Sequence, residues 1–171
     1  TSQRQNRVDF SFTEPFFLNR DVALTTDIFT TVQEYRESFY DNETDGIGAG
    51  LGYVVGEYGS QSIKYSLEKR EIIADEEASS SVKAEAGKNI LSLITFRNSI
   101  DKTDSRIDPT DGWYVSNSIG LAGVGGDKRY YKLGFSIANF ESIFEEKAVF
   151  SLMLKSGLIS GIGQNIEISD R

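Results

Sequence analysis

Hydrophobic residues fall at every second position over much of this chain. Val8, Phe10 and Phe12 alternate with Asp9, Ser11 and Thr13; Ile63, Tyr65 and Leu67 with Lys64, Ser66 and Glu68; Tyr131, Leu133, Phe135 and Ile137 with Lys132, Gly134, Ser136 and Ala138. Successive side chains of a strand point to opposite faces, so each segment predicts a strand with one greasy face. The segment Gly46–Val55 is the clearest: Ile47, Leu51 and Tyr53 stand at odd positions, and Gly46, Gly48, Gly50 and Gly52 at even ones. Further strands are expected from Val22 through Leu24 and Ile28 to Tyr35, from Ile90 to Ile100, over Trp113, Val115, Ile119 and Leu121, and over Ala148, Phe150, Leu152 and Leu154. The segment Ile90–Ile100 is ambiguous in phase, because Leu91, Leu93, Ile94 and Phe96 occupy both faces.

The breaks between these segments carry turn chemistry. Glu14-Pro15 ends the first strand, since proline cannot donate to a ladder. Glu57-Tyr58-Gly59-Ser60 reads as a compact turn, and Pro109-Thr110-Asp111-Gly112 as a turn with glycine at a position of positive φ. Two polar stretches, Gln33–Asp45 and Ala74–Asn89, predict long connections; a short surface helix over Asp75–Lys88 is the rival reading of the second. Phe140–Glu146 reads as a turn, and Gly157–Arg171 contains no further strand. The expectation is an all-β, antiparallel, up-and-down sheet of about eight strands in one domain, 1–171, with connections alternating between short and long. Two placements of the greasy face compete. A transmembrane barrel turns it to lipid and keeps small or polar residues inside. A soluble lipocalin-like barrel turns it around a ligand cavity.

Composition narrows the chemistry. With 171 residues, 39% hydrophobic and 12% aromatic, the chain can build a core, and 16 glycines against 2 prolines suit a twisted sheet. No apolar run is long enough for a spanning helix, which leaves spanning strands untouched. A net charge of −8 argues against a nucleic-acid partner. The absence of cysteine and histidine removes disulfides, thiolate nucleophiles, Ser-His-Asp catalysis and imidazole or sulfur metal sites. Thr1 opens directly on polar residues, as expected of a mature segment or a piece of a longer protein.

The remaining candidates for chemistry each have a plainer reading. Gly123–Lys128 lacks the Gly-Lys-Ser/Thr ending and following helix of a phosphate loop, and reads as a flexible connection. Glu76-Glu77 and Glu145-Glu146 are neighbours whose side chains diverge, unlike a catalytic pair facing across a cleft. Asp101, Asp104 and Asp108 fit no EF-hand spacing and read as structural. Phe16, Phe17, Trp113, Tyr114, Tyr130 and Tyr131 stand at strand ends, where rim packing and an interfacial aromatic girdle are both open. No enzymatic activity, cofactor or metal is expected.

Two motifs add a family resemblance. Ser11-Phe12-Thr13-Glu14-Pro15-Phe16-Phe17 resembles the strand-ending pattern of the bacterial surface-antigen barrel family, carried by Glu14, Pro15, Phe16 and Phe17. Asp104–Gly112 resembles that family's Arg-x-x-Pro-Thr-x-Gly turn, with Arg106, Pro109, Thr110 and Gly112 in the matching places. The run Gly120–Asp127 followed by Arg129-Tyr130 is similar to the corresponding strand and loop of the family's outer-membrane assembly members. The resemblance implies the middle of a sixteen-stranded barrel, about strands four to eleven, in the bacterial outer membrane. It implies lipid contact at Ile47, Leu51, Tyr53, Leu133, Phe135 and Ile137, periplasmic turns at Glu14-Pro15 and Pro109–Gly112, and extracellular loops at 33–45 and 74–89.

The implied work is assembly and insertion of nascent outer-membrane β-barrel proteins, alongside accessory assembly lipoproteins and outer-membrane lipid, with no cofactor. A two-partner secretion or autotransporter-assembly transporter of the same family is the alternative. The family's Arg-Gly-aromatic loop tip, its seam strands and its periplasmic repeats are not among these residues, so the segment is not expected to act alone.

Overall fold

In a computed structural model, which describes residues 3–35, 39–143 and 148–166, one antiparallel sheet of eight strands runs in chain order. The strands are β1 (Gln3–Glu14), β2 (Val22–Tyr35), β3 (Tyr40–Val55), β4 (Gly59–Ala74), β5 (Gly87–Asp101), β6 (Gly112–Ala122), β7 (Tyr130–Ile143) and β8 (Ala148–Gly161). A helical turn, Phe17–Asn19, follows β1, and the short helix α1 (Ser80–Glu85) lies between β4 and β5. Among the described residues β1 and β8 each pair on one side only, so the sheet is not closed.

The register turns the alternation of the sequence into two continuous faces. One row crosses the sheet through Leu24, Leu51, Ile63, Phe96, Ile119, Leu133 and Leu158. The adjacent row, one residue along and on the opposite face, is Thr25, Gly50, Lys64, Thr95, Gly120, Lys132 and Ile159. A slip of one residue in any strand would place its hydrophobic set among the glycines and lysines, which is why so regular a pattern fixes a register.

The phase of β5 is settled by its neighbours. Ile94 and Phe96 lie in apolar rows, whereas Leu91 and Leu93 turn to the other face, where they pack with Ala122, Tyr130, Ile159 and Ile166 in the main buried cluster. Tyr130 is buried there and is no rim residue.

Several connections differ from the sequence reading. Residues 33–35 and 40–45 are strand rather than loop, with Tyr35 opposite Tyr40 and their rings stacked 4.5 Å apart; residues 36–38 lie outside the described residues. Polar side chains do not prevent a ladder when both faces meet water, and the Thr30 hydroxyl donates to Asp45 at 2.8 Å across this hairpin. In the stretch 74–89, Ala74 ends β4 and Gly87 starts β5. Between them α1 is capped by Ser79, whose hydroxyl accepts from the Val82 amide at 3.3 Å.

β7 runs on to Ile143, through most of the turn expected at Phe140–Glu146, and β8 to Gly161. The pair Glu145-Glu146 and the tail 167–171 lie outside the described residues. Connections therefore do not alternate in length: 102–111 is longer than 123–129 at the opposite end.

Segment 123–129 continues along β5 where β6 has ended. The Gly123 amide donates to Ser92 O at 3.2 Å, the Asp127 amide to Ile90 O at 2.7 Å, and the Ile90 amide to the Asp127 carboxylate at 2.8 Å. Gly126 sits so close that a Cβ there would stand 2.7 Å from Ile90 O and 2.8 Å from Ser92 N. At Gly48 a Cβ would instead meet the mobile ends of Asp27 and Lys64, at 2.7 and 2.8 Å. Gly126→Ala is therefore expected to cost about 1–3 kcal/mol by overpacking against fixed backbone, and Gly48→Ala less than about 1 kcal/mol. Urea midpoints of the detergent-folded protein check this; equal losses would contradict it.

Candidate membrane interface and inner wall

Strand geometry positions the apolar face without any further device. Ile47, Leu51, Tyr53, Leu133, Phe135 and Ile137 all lie on it, each between 37% and 52% exposed, which rules them out as core of this chain. An open groove of about 530 Å³ on the same face is lined by Val8, Phe10, Ile28, Ile47, Leu67 and Ile90. Among the described residues this groove is open and is not an enclosed ligand cavity of the lipocalin type. The fully buried polar residue of this face, Ser92, lies beneath segment 123–127.

Away from the Leu91 cluster, the opposite face is mostly small and polar. The Lys64 ammonium meets the Asp27 carboxylate at 2.6 Å, joining β4 to β2 across β3. Gly48 leaves the room: its missing side chain is where the two charged ends pass. Upstream, the Phe29 ring covers Gly46, and the Arg7 guanidinium lies 5.0 Å from that ring's centre. Glu68 and Arg70 pair at 2.8 Å on the same face. The sequence pointed to bare positions on β3 but not to what would lie over them, because the partners come from different strands.

The two motif clusters cap neighbouring-end hairpins, β1–β2 and β5–β6, at one end of the sheet. After β1, the Glu14 carboxylate accepts from the Phe16 amide at 3.2 Å, and Phe16 is exposed. Phe17 opens the helical turn, and Leu18 and Asn19 adopt left-handed backbone, both at φ 57°.

In the loop 102–111, Asp104 is the centre. Its carboxylate accepts from the Thr110 hydroxyl at 2.6 Å, the Thr110 amide at 2.9 Å and the Asp111 amide at 3.0 Å. The Thr110 hydroxyl foremost, then the Asp111 and Thr110 amides, hold this carboxyl down at about 2 against an ordinary 3.8. The Thr110 carbonyl accepts from the Ser142 hydroxyl at 3.1 Å, tying the loop to β7. Gly112, at φ 99°, has room for no side chain beside the Lys102 carbonyl. Arg106 stands 3.7 Å from Asp101 and is largely exposed.

The Lys102 ammonium lies 5.3 Å from the centre of the Tyr58 ring and 5.5 Å from that of Trp113, an aromatic–cation cluster on the same rim. Among the described residues no group of acidic side chains is placed to hold a metal ion, and no helix is long and apolar enough to cross a membrane.

Comparison with known proteins agrees with this architecture. The model of the Omp85 superfamily domain matches residues 1–171. The outer membrane protein assembly factor BamA of Neorickettsia risticii is 35% identical over 109 residues, which cover 63% of this chain and 15% of that protein. BamA of Nitratidesulfovibrio vulgaris is 31% identical over 134 residues, 77% of this chain and 17% of that protein. The chain thus spans about a sixth of the length of these curated relatives. In fold it resembles the crystal structure of Haemophilus ducreyi BamA lacking POTRA domains 1–3, with a TM-score of 0.80 and 20% identity, over 93% of this chain and 34% of that one.

The clasp at Asp104 predicts a pH response. A carboxyl whose native pKa lies below its unfolded value contributes stability above the unfolded value and loses it as pH falls through the native one. Pepsin cleavage within 102–111 is expected to rise as pH drops from about 4 to about 2. In Asp104→Asn the loop should be cleaved readily throughout, with a flatter profile. Identical profiles for the two proteins would refute the clasp.

Proposed function

The chain belongs to the Omp85 superfamily, and from that premise we propose that it forms the central wall of a bacterial outer-membrane barrel that assembles and inserts other β-barrel proteins. The observation that carries this is the unbroken apolar row Leu24, Leu51, Ile63, Phe96, Ile119, Leu133 and Leu158, set against a row one position away that is small or polar in every strand but β8. In water such a face is an aggregation hazard; against acyl chains it is matched. The two relatives named as outer membrane protein assembly factors support the activity.

On this reading Ile47, Leu51, Tyr53, Leu133, Phe135 and Ile137 contact lipid. The hairpin turns at Glu14-Pro15 and Pro109–Gly112 face the periplasm, and the tip 33–45 and the segment 74–89 face outward from the cell. The substrates are nascent outer-membrane barrel proteins, delivered with the help of accessory lipoproteins, and the wall carries out no catalytic step.

Depleting the full-length protein from its host should lower the folded amount of several outer-membrane barrel proteins, and the wild-type gene should restore it. Ile119→Arg, which puts a charge in the centre of the apolar row, should restore it poorly, since such a charge costs about 2–4 kcal/mol at the bilayer midplane. The polar-face variant Thr95→Ser, in the row beside it, should restore it fully. Undiminished barrel proteins on depletion would overturn the assembly reading. Full restoration by Ile119→Arg would overturn the lipid-facing one.

A further inference from the structure

The polar face is not uniformly balanced. On its β1–β4 half the charges are paired: Arg7 with Asp9 at 3.2 Å, Lys64 with Asp27 and Arg70 with Glu68. On its β5–β8 half the register leaves Arg97, Lys132 and Lys155, while Asp101 at the rim accepts from the Thr103 hydroxyl at 2.6 Å and faces Arg106. Among the described residues none of these three cations forms an ion pair. All three are exposed on a chain whose net charge is −8.

Small residues make space around them. An open depression of about 440 Å³ is lined by Arg97, Tyr114, Ser116, Ser118, Ser136 and Lys155. Gly134 forms part of its floor, and Lys132 follows one row along at Gly120. Hydroxyl donors beside unpaired guanidinium and ammonium groups are the elements of oxyanion recognition.

We infer that the β5–β8 inner wall carries an anion site that takes an oxyanion, either a small free one or a carboxylate on a polypeptide within the barrel. The inference rests on the barrel reading, which makes this face an enclosed one where low-dielectric walls strengthen the cations' field.

Ser136→Cys in the full-length protein in liposomes, with any cysteine outside this chain replaced, reports the local potential. Its reaction with a sulfonate-bearing methanethiosulfonate should outpace that with the trimethylammonium analogue by about tenfold, each rate normalised to a free thiol, as expected for clefts of a few kT. Combining Arg97→Gln, Lys132→Gln and Lys155→Gln should bring the ratio to about one. A ratio of one or below in the unneutralised protein, or one indifferent to neutralisation, overturns the site. Inorganic phosphate that slows the sulfonate reagent identifies the small oxyanion. Slowing by a hexaglutamate peptide at much lower concentration identifies the polypeptide carboxylate, and slowing by neither again overturns the site. Leu133→Cys separates the premises: attack there by both charged reagents sinks the barrel reading itself, whereas a failed ratio at residue 136 sinks only the anion site.

Discussion

The period-two alternation, locked by the hydrogen-bond register, is the constraint on which the rest depends. A β-ladder has no freedom to rotate one side chain to the other face; only a shift of the whole strand does that. Six consecutive pairings place Leu24, Leu51, Ile63, Phe96, Ile119, Leu133 and Leu158 in one line. Each pairing is supported by its neighbours' apolar contacts, so an error in one strand would be penalised on two sides. The sheet can therefore do without a thick core, and the main buried cluster is a small one, around Leu91, Ala122 and Tyr130.

The same constraint explains the glycines. A sheet whose polar side curves inward crowds that side, and charged groups from alternate strands must cross the strand between them. Gly48 lets the Asp27 carboxylate and Lys64 ammonium meet at 2.6 Å over β3. An ion pair this exposed adds little in water, about 0–1 kcal/mol. Its value is geometric: it ties β2 to β4 on the face where no apolar row can. Gly126 works differently, admitting the backbone of 123–127 to Ile90 and Ser92 and so extending β5's pairing beyond the end of β6.

Much of this was legible in the sequence. Strand positions at Val8–Phe12, Gly46–Val55, Ile63–Leu67 and Leu133–Ile137 follow from side-chain alternation alone, and the two motifs resembling surface-antigen barrels led to the family the comparisons show. The hairpin tip at 33–45 was misread because Glu34, Asp41, Glu43 and Asp45 signal solvent, and solvent on both faces is compatible with either loop or ladder. Leu91 and Leu93 could not be phased, because what turns them inward is a cluster with Tyr130 and Ile166, far away in the chain. Asp104 was read only as structural. Its particular partners, Thr110 and Asp111, depend on how the loop folds back, which no local pattern encodes.

The two ends of the sheet solve different problems. At the end of β1–β2 and β5–β6, short-range polar clasps hold the turns: Glu14 on the Phe16 amide, and Asp104 on Thr110 and Asp111. The Lys102 ammonium, close to the Tyr58 and Trp113 rings, adds an aromatic–cation contact beside them. At the opposite end β2, β3 and β4 simply run on, keeping ladder hydrogen bonds out to Tyr35, Tyr40 and Ala74 beyond the last apolar row. A continuing ladder pairs its backbone groups and needs no clasp. A clasped loop stays close to the rim. Between β1 and β4 the asymmetry thus resides less in loop length than in whether the backbone is satisfied by pairing or by side chains; toward β8 the far end also uses side-chain clasps, Ser79 on the Val82 amide and Asp127 on the Ile90 amide. On the proposed orientation, that difference sets the continuing β2–β4 ladder toward the cell exterior and the clasped turns toward the periplasm.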